Sequence, residues 1–192
     1  KLTLIRTARE TGKETFSTWP SDTLMEKMKT ENKAGHHIRL ARLIPHITEQ
    51  RTTTLHRQLP RICPAAEYAR SKEGERYLKT YNGLVQIEVN HLANAVEVEQ
   101  VKHQAALLPQ TFAAFCGSSG RSVKIWVLFA TPDGSRPRQE EKIRLFHTAA
   151  TGRRKLLPAL LPYPVTLKEP AVEQSCRMTL DDRPYYNPSA VP

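Results

Sequence analysis

Glu88 and Asn90 lie two residues apart in Leu84-Val-Gln-Ile-Glu-Val-Asn90, so on an extended chain their side chains leave the same side. A carboxylate so placed is a ligand for a hard cation, Mg²⁺ or Mn²⁺, while Asn90 offers only a weak carbonyl oxygen. Asp181 or Asp182, far along the chain, would raise the ligand count if carried on a neighbouring strand. The plainer reading makes Glu88 and Asn90 polar residues of a solvated or interdomain sheet surface, and Asp181-Asp-Arg-Pro184 a turn. In Gly117-Ser-Ser-Gly-Arg-Ser-Val-Lys124, small residues let backbone N–H groups approach a phosphate, with Arg121 and Lys124 to neutralise it. The stretch is not a P-loop, because the Gly-Lys-Ser order and the following helix are absent; an ordinary hairpin turn is the alternative. Trp126, beside Lys124, is either a stacking platform for a base or a residue covered by the N-terminal part of the chain.

Other reactive residue types point to less. His36 and His37 are adjacent, so on a helix they diverge and cannot form the i, i+4 pair of a zinc helix. His91 and His147 read as structural. Ser118 and Ser119 have no His and acidic partners in a recognisable arrangement, which argues against a serine hydrolase. Cys63, Cys116 and Cys176 are few, odd in number and widely spaced, defining neither a disulfide framework nor a thiolate metal site. That usage fits a reducing cytoplasm.

The elements that must position these residues are clearest from residue 84 onward. Val85, Ile87 and Val89 alternate with Gln86, Glu88 and Asn90, the period of a half-buried strand with one polar face. Asn94 with Glu97 forms a capping box, and Val98, Val101, Ala105 and Leu108 follow at helical spacing up to Pro109. Thr111 to Cys116 and Ser122 to Phe129 read as a hairpin around the loop Gly117–Arg121. Ile143, Phe146, His147 and Ala150 predict a second helix ending at Gly152. Pro158, Pro162, Pro164 and Pro170 then exclude a continuous helix, and Ser175 to Asp181 alternates again as a fourth strand. The order is β-α-β-β-α-β, an α+β arrangement shared by ferredoxin-like and RNA-recognition-type folds. With both helices on one face, the other face would carry Glu88, Asn90, Lys124, Trp126, Arg177 and Thr179, with Asp181 at the strand end.

Residues 1–79 are expected to form an N-terminal basic α/β unit, and residues 80–192 the core. The unit reads as a strand over Leu2–Ala8, a helix near Asp22–Lys29 and another around 33–43, packed on the polar sheet face so that a cleft lies between the halves. The 192 residues include 29 Lys and Arg against 19 Asp and Glu, a net charge of +10, of which +7 falls in residues 1–79. Such a surplus favours nucleic-acid or nucleotide partners. With 39% hydrophobic residues and no run of about 18 apolar residues, a soluble folded protein is expected, with no membrane partner. The Lys1 start and the Pro-rich tail suggest a piece excised from a longer chain.

Three ordered stretches carry a resemblance: Tyr81-Asn-Gly-Leu-Val-Gln-Ile-Glu-Val-Asn-His-Leu92, then Ser118-Ser-Gly-Arg-Ser-Val-Lys-Ile-Trp126, then Ser175-Cys-Arg-Met-Thr-Leu-Asp181 with Tyr185-Tyr-Asn-Pro188. Over residues 81–190 the chain resembles the primase-like N-terminal domain of virulence-associated protein E relatives and Bacteroides mobile-element proteins, within the archaeo-eukaryotic primase superfamily. The resemblance implies an RNA-recognition-like sheet joined to a second α/β unit, and a DNA-replication module that binds a DNA or RNA template and a nucleoside triphosphate. It also implies a fused helicase-like region and a Mg or Mn cofactor. In its terms Glu88, Asn90 and Asp181 stand at the catalytic positions, with Glu88 and Asp181 as metal ligands. Ser118, Arg121 and Lys124 fall at the nucleotide motif, and Lys124 and Arg177 meet phosphates. Asn90 replaces one carboxylate, which removes a charge that two-metal phosphoryl transfer uses, and the second motif lacks its histidine. A non-catalytic nucleic-acid-binding module and a purely structural domain are the alternatives.

Overall fold

The computed structural model describes residues 1–8, 10–30, 35, 38–39, 42, 58–153, 163, 165–166 and 171–192. Most of the helix expected over 33–43, the His36-His37 pair and the prolines at 158, 162, 164 and 170 lie outside them.

The first strands are β1 (Leu2–Thr7), β2 (Glu14–Trp19), β3 (Arg61–Cys63), β4 (Ala66–Arg70) and β5 (Arg76–Tyr81), with helix α1 (Ser21–Lys29) following β2. Then come β6 (Leu84–Val89), α2 (Ala95–Ala106), β7 (Thr111–Cys116), β8 (Val123–Leu128), α3 (Glu140–Arg153), β9 (Val165–Thr166), β10 (Cys176–Arg177) and β11 (Tyr185–Tyr186). Hydrogen bonding sorts the strands into a four-stranded sheet ordered β10-β3-β1-β2, a five-stranded sheet ordered β11-β7-β8-β6-β9, and the β4-β5 hairpin. Every pairing among the described residues is antiparallel.

Local chemistry accounts for the elements near the site. Asn94 caps α2 by accepting from the Glu97 N–H at 3.0 Å, and the Glu97 carboxylate accepts from the Ala93 N–H at 2.7 Å. Leu107 and Leu108 close the helix before Pro109. The β7-β8 hairpin is shut by Gly117 N–H donating to Ser122 O at 2.7 Å, and Gly120 takes the left-handed φ of 76° that the turn needs. Helix α3 runs one residue past Gly152, where sequence spacing predicts its end.

Helix α2 lays Val98, Val101 and Ala105 over Ile87, Val89, Ala114, Val123, Ile125 and Val127, one face of the five-stranded sheet. The opposite face, with Leu84, Ala113, Phe115, Trp126 and Leu128, packs on Leu2, Leu4, Leu24, Met25, Met28 and Ile62. The expected contact of the N-terminal part with that face is present. It is a continuous apolar core, however, and all six residues of β6 are buried, so the polar face of Gln86 and Glu88 is not solvated.

One expectation is corrected. Ser175–Asp181 does not supply the fourth strand beside β6; only Cys176–Arg177 is extended, and it pairs with β3 in the other sheet. The place beside β6 belongs to β9, paired through Glu88 with Thr166 and Val89 with Val165. Alternation does predict that Cys176, Met178 and Leu180 are buried, but it cannot say which sheet edge receives them. Met178 N–H donates to Pro60 O at 2.7 Å and Asp181 N–H to Met28 O at 2.9 Å, which tie this stretch to the N-terminal sheet and α1. Among the described residues no helix is long and apolar enough to cross a membrane.

Candidate functional site

The hairpin loop Gly117–Arg121 and the stretch Thr179–Asp182 come together at the end of the central strands because one side chain joins them. The half-buried Arg42 guanidinium donates to Gly117 O at 2.9 Å and Ser118 O at 3.4 Å, and also to Thr179 Oγ1 at 3.2 Å and Leu180 O at 2.9 Å. Its aliphatic stem passes 3.2 Å from where a Cβ on Gly120 would stand. Arg121 reaches the other way, donating from Nε to Leu92 O at 3.1 Å, while Leu92 N–H donates back to Arg121 O at 3.1 Å. Together these bonds bind the loop to the start of α2.

Between those walls lies a cleft of about 670 Å³. Lys29, Arg39, Arg42 and Arg121 line it, together with Ser119, Gly120 and the Asn94–Ala95 start of α2, whose N-terminal dipole adds partial positive charge. The acidic lining is Glu99, Asp181 and Asp182. Asp181 is already neutralised: Lys102 Nζ lies 3.0 Å from both carboxylate oxygens, and the N–H groups of Cys116 (2.7 Å) and Arg183 (3.0 Å) complete its shell. The two side chains are only 4% and 3% exposed, so this is an interior ion pair. Lys102 also pairs with Glu99 at 2.8 Å. Four cations thus line the cleft against three carboxylates, two of which Lys102 already pairs, and although Lys29 itself pairs with Glu26 at 2.6 Å the balance suits an anion. Burial pushes the Cys116 thiol up, keeping it protonated at the cleft wall.

The residues singled out from the sequence do not gather at one place. Arg121 and Asp181 line the cleft, and Ser118 contributes its carbonyl to the Arg42 bridge. Glu88 and Lys124 are cross-strand partners on β6 and β8 and form an ion pair with each other, both largely buried. Asn90 sits at the β9 edge, donating to Thr166 Oγ1 at 3.0 Å. Arg177 lies on β10 in the other sheet, where it donates to Leu59 O at 3.4 Å. Trp126 is fully buried, its Nε1 donating to Gln86 Oε1 at 3.2 Å and its ring edge-on to Phe115 at 4.8 Å. It is the covered residue of the two readings and not a stacking platform.

The expected metal ligands do not fit a shared ion as they stand. Gly117 N–H points to β8, so the Cys116 N–H that holds Asp181 points away from β8, and Asp181 lies on the outer edge of β7. Glu88 lies on β6, beyond β8, two strand spacings or about 10 Å from the β7 backbone. Each carboxylate faces its own lysine, and among the described residues no group of three His, Cys, Asp or Glu is placed to hold a metal.

Sequence reasoning missed Lys102, Arg42, Arg39 and Lys29. Lys102 did leave a signal: it sits four residues after Val98 and three before Ala105, a lone cation on the apolar stripe of α2. The other three come from α1 and the stretch after it, where no periodicity connects them to the loop.

Fold and site together define a mixed α and β protein of antiparallel sheets, with a cation-lined cleft between its hairpin loop, α2 and the stretch Thr179–Asp182. The family described as BT4734-like, N-terminal domain, matches residues 54–186, and the chain belongs to that family. No curated protein and no solved structure matches it.

Proposed function

We propose that this chain is a nucleic-acid-binding module of primase-like type, serving DNA replication in a mobile genetic element and working beside a helicase-like region. Its task is to hold the phosphate backbone of a template, and with it the phosphates of an incoming nucleotide, in the cleft at the β8 hairpin. The observation that carries this reading is the convergence of Lys29, Arg39, Arg42 and Arg121 on one cleft beside the start of α2. The net charge of +10 supports it. The order β7-β8-β6-β9 also supports an RNA-recognition-like sheet, since it keeps the first and third strands of a β-α-β-β-α-β unit in the middle, with β9 as the fourth.

Binding of this kind draws on counterion release and asks no chemistry of Glu88 or Asp181. The reading therefore takes the non-catalytic form, with the two buried ion pairs as structural supports. Titration of single-stranded DNA and RNA between 50 and 200 mM salt tests it. Arg39→Ala with Arg121→Ala is expected to flatten the plot of log K against log salt by 1 to 2, at about 0.7 per lost phosphate contact. An unchanged slope would sink the cleft as the binding site. Primer synthesis with Mn²⁺ and labelled nucleotides is expected to yield no product; product that disappears in Glu88→Ala would replace the binding reading with a catalytic one.

A further inference from the structure

A second cleft, of about 590 Å³, opens at the other end of the central strands, between β5 and the turn that follows β8. Lys79, Arg136 and Arg138 line it, and among the described residues no carboxylate does. Among the described residues none of the three cations has an ion-pair partner. The acidic residues next to them in the chain are committed elsewhere. Asp133 accepts from Thr131 Oγ1 and from Ser135 N–H inside its own turn, which holds its carboxyl down at about 2, and Glu140 pairs with Arg144 at 2.8 Å. Three like charges around one hollow repel one another, and an anion between them removes that cost.

The cleft is also built on fixed parts. Gly83, at φ 74°, has no side chain to fend off Arg136, whose Nε would lie 3.1 Å from a Cβ there, so the arginine stem rests on bare backbone. Beneath, Ile143 is buried and the Tyr81 hydroxyl hydrogen-bonds His147 Nδ1 at 3.0 Å. The turn carrying the arginines is closed by Gly134 N–H to Thr131 O at 2.8 Å and Thr131 N–H to Ser135 O at 3.1 Å.

We infer that this second cleft binds phosphates of a nucleic-acid strand, as a contact separate from the cleft at the hairpin loop. The inference shares with the proposed function the premise that the ligand is nucleic acid, and little else. Strands β6 and β8 are six residues each, so the two clefts stand roughly 20 Å apart at opposite strand ends. One continuous strand can reach both, whereas a free phosphate can occupy only one. Sites so far apart should also lose affinity independently.

The test uses the full chain, a mixed-sequence single-stranded 30-mer and inorganic tripolyphosphate. Lys79→Ala with Arg138→Ala changes two exposed side chains only, and Arg136→Gln added to them keeps a polar side chain over Gly83. The triple variant is expected to weaken the 30-mer roughly tenfold or more at 50 mM salt and to lower the salt slope by about 2, with an unchanged melting curve. A slope and affinity within twofold of the parent would overturn the inference, as would loss of tripolyphosphate binding alone with the 30-mer unaffected. If the Arg39→Ala and Arg121→Ala variant keeps its affinity while this one loses it, the second cleft stands and the first reading falls; the opposite pattern removes only the second.

Discussion

At the scale of single residues, the acidic side chains that look most chemical are the ones most thoroughly occupied. Removing one partner from the interior Lys102–Asp181 pair leaves an uncompensated buried charge, so Lys102→Ala is expected to cost about 3–5 kcal/mol in a urea titration. Replacing both by apolar residues of similar size, Lys102→Met with Asp181→Leu, should recover much of that loss. The cysteines give a pH dependence. Burial first of all pushes the thiols of Cys63 and Cys176 up from 9.0 to about 12. The unfolded chain releases these protons from about pH 9 while the native one holds them until near 12, so across that window the unfolded state binds fewer protons and stability falls as pH rises. Urea midpoints at pH 8 and pH 10.5 should show the fall, and Cys63→Ala with Cys176→Ala should flatten it.

At the scale of elements, the hairpin and the cap of α2 hold the hairpin cleft in shape. Asn94→Ala is expected to cost about 1 kcal/mol of stability by freeing the Glu97 N–H. A Cβ on Gly117 would stand 2.1 Å from Ser122 Oγ, so Gly117→Ala must swing that hydroxyl out of its rotamer and away from Ser119 Oγ, 3.4 Å off, loosening the turn. We expect Gly117→Ala to weaken oligonucleotide binding together with stability, and Gly117→Ala with Ser122→Gly to restore both in a paired melt and anisotropy measurement. The elements themselves were largely legible. The alternation over 84–89, the capping box at Asn94 and the hairpin over 111–128 each depend on neighbours a few residues away. The final strand was misassigned because its pattern specifies a buried face and not a partner.

At the scale of the whole molecule, the two sheets share one core and Cys176–Arg177 returns to the first sheet before Tyr185–Tyr186 joins the second. Phe115 and Trp126 are each buried against residues of β1, α1 and β3, and burying a side chain of this size is worth roughly 2–3 kcal/mol. Residues 80–192 expressed alone should therefore expose an apolar face, bind a hydrophobic dye and melt without a cooperative transition, and adding residues 1–79 should restore the transition. A cooperative melt of the 80–192 fragment would show that the core divides at residue 79.

The residues by themselves determined the order of elements from position 84 through the second helix, the covering of one sheet face by the N-terminal part, and the surplus of positive charge. Each of these follows from periodicity or composition, which are local or additive. Only the tertiary structure decided that Glu88 meets Lys124, that Asp181 meets Lys102, and that Arg42 gathers the hairpin loop and Thr179–Leu180 around a cleft. Those pairings join positions 36, 79 and 75 or more residues apart. A side chain's partner at such a separation is set by which faces pack together, because that packing decides which charges leave water and must find a counter-charge.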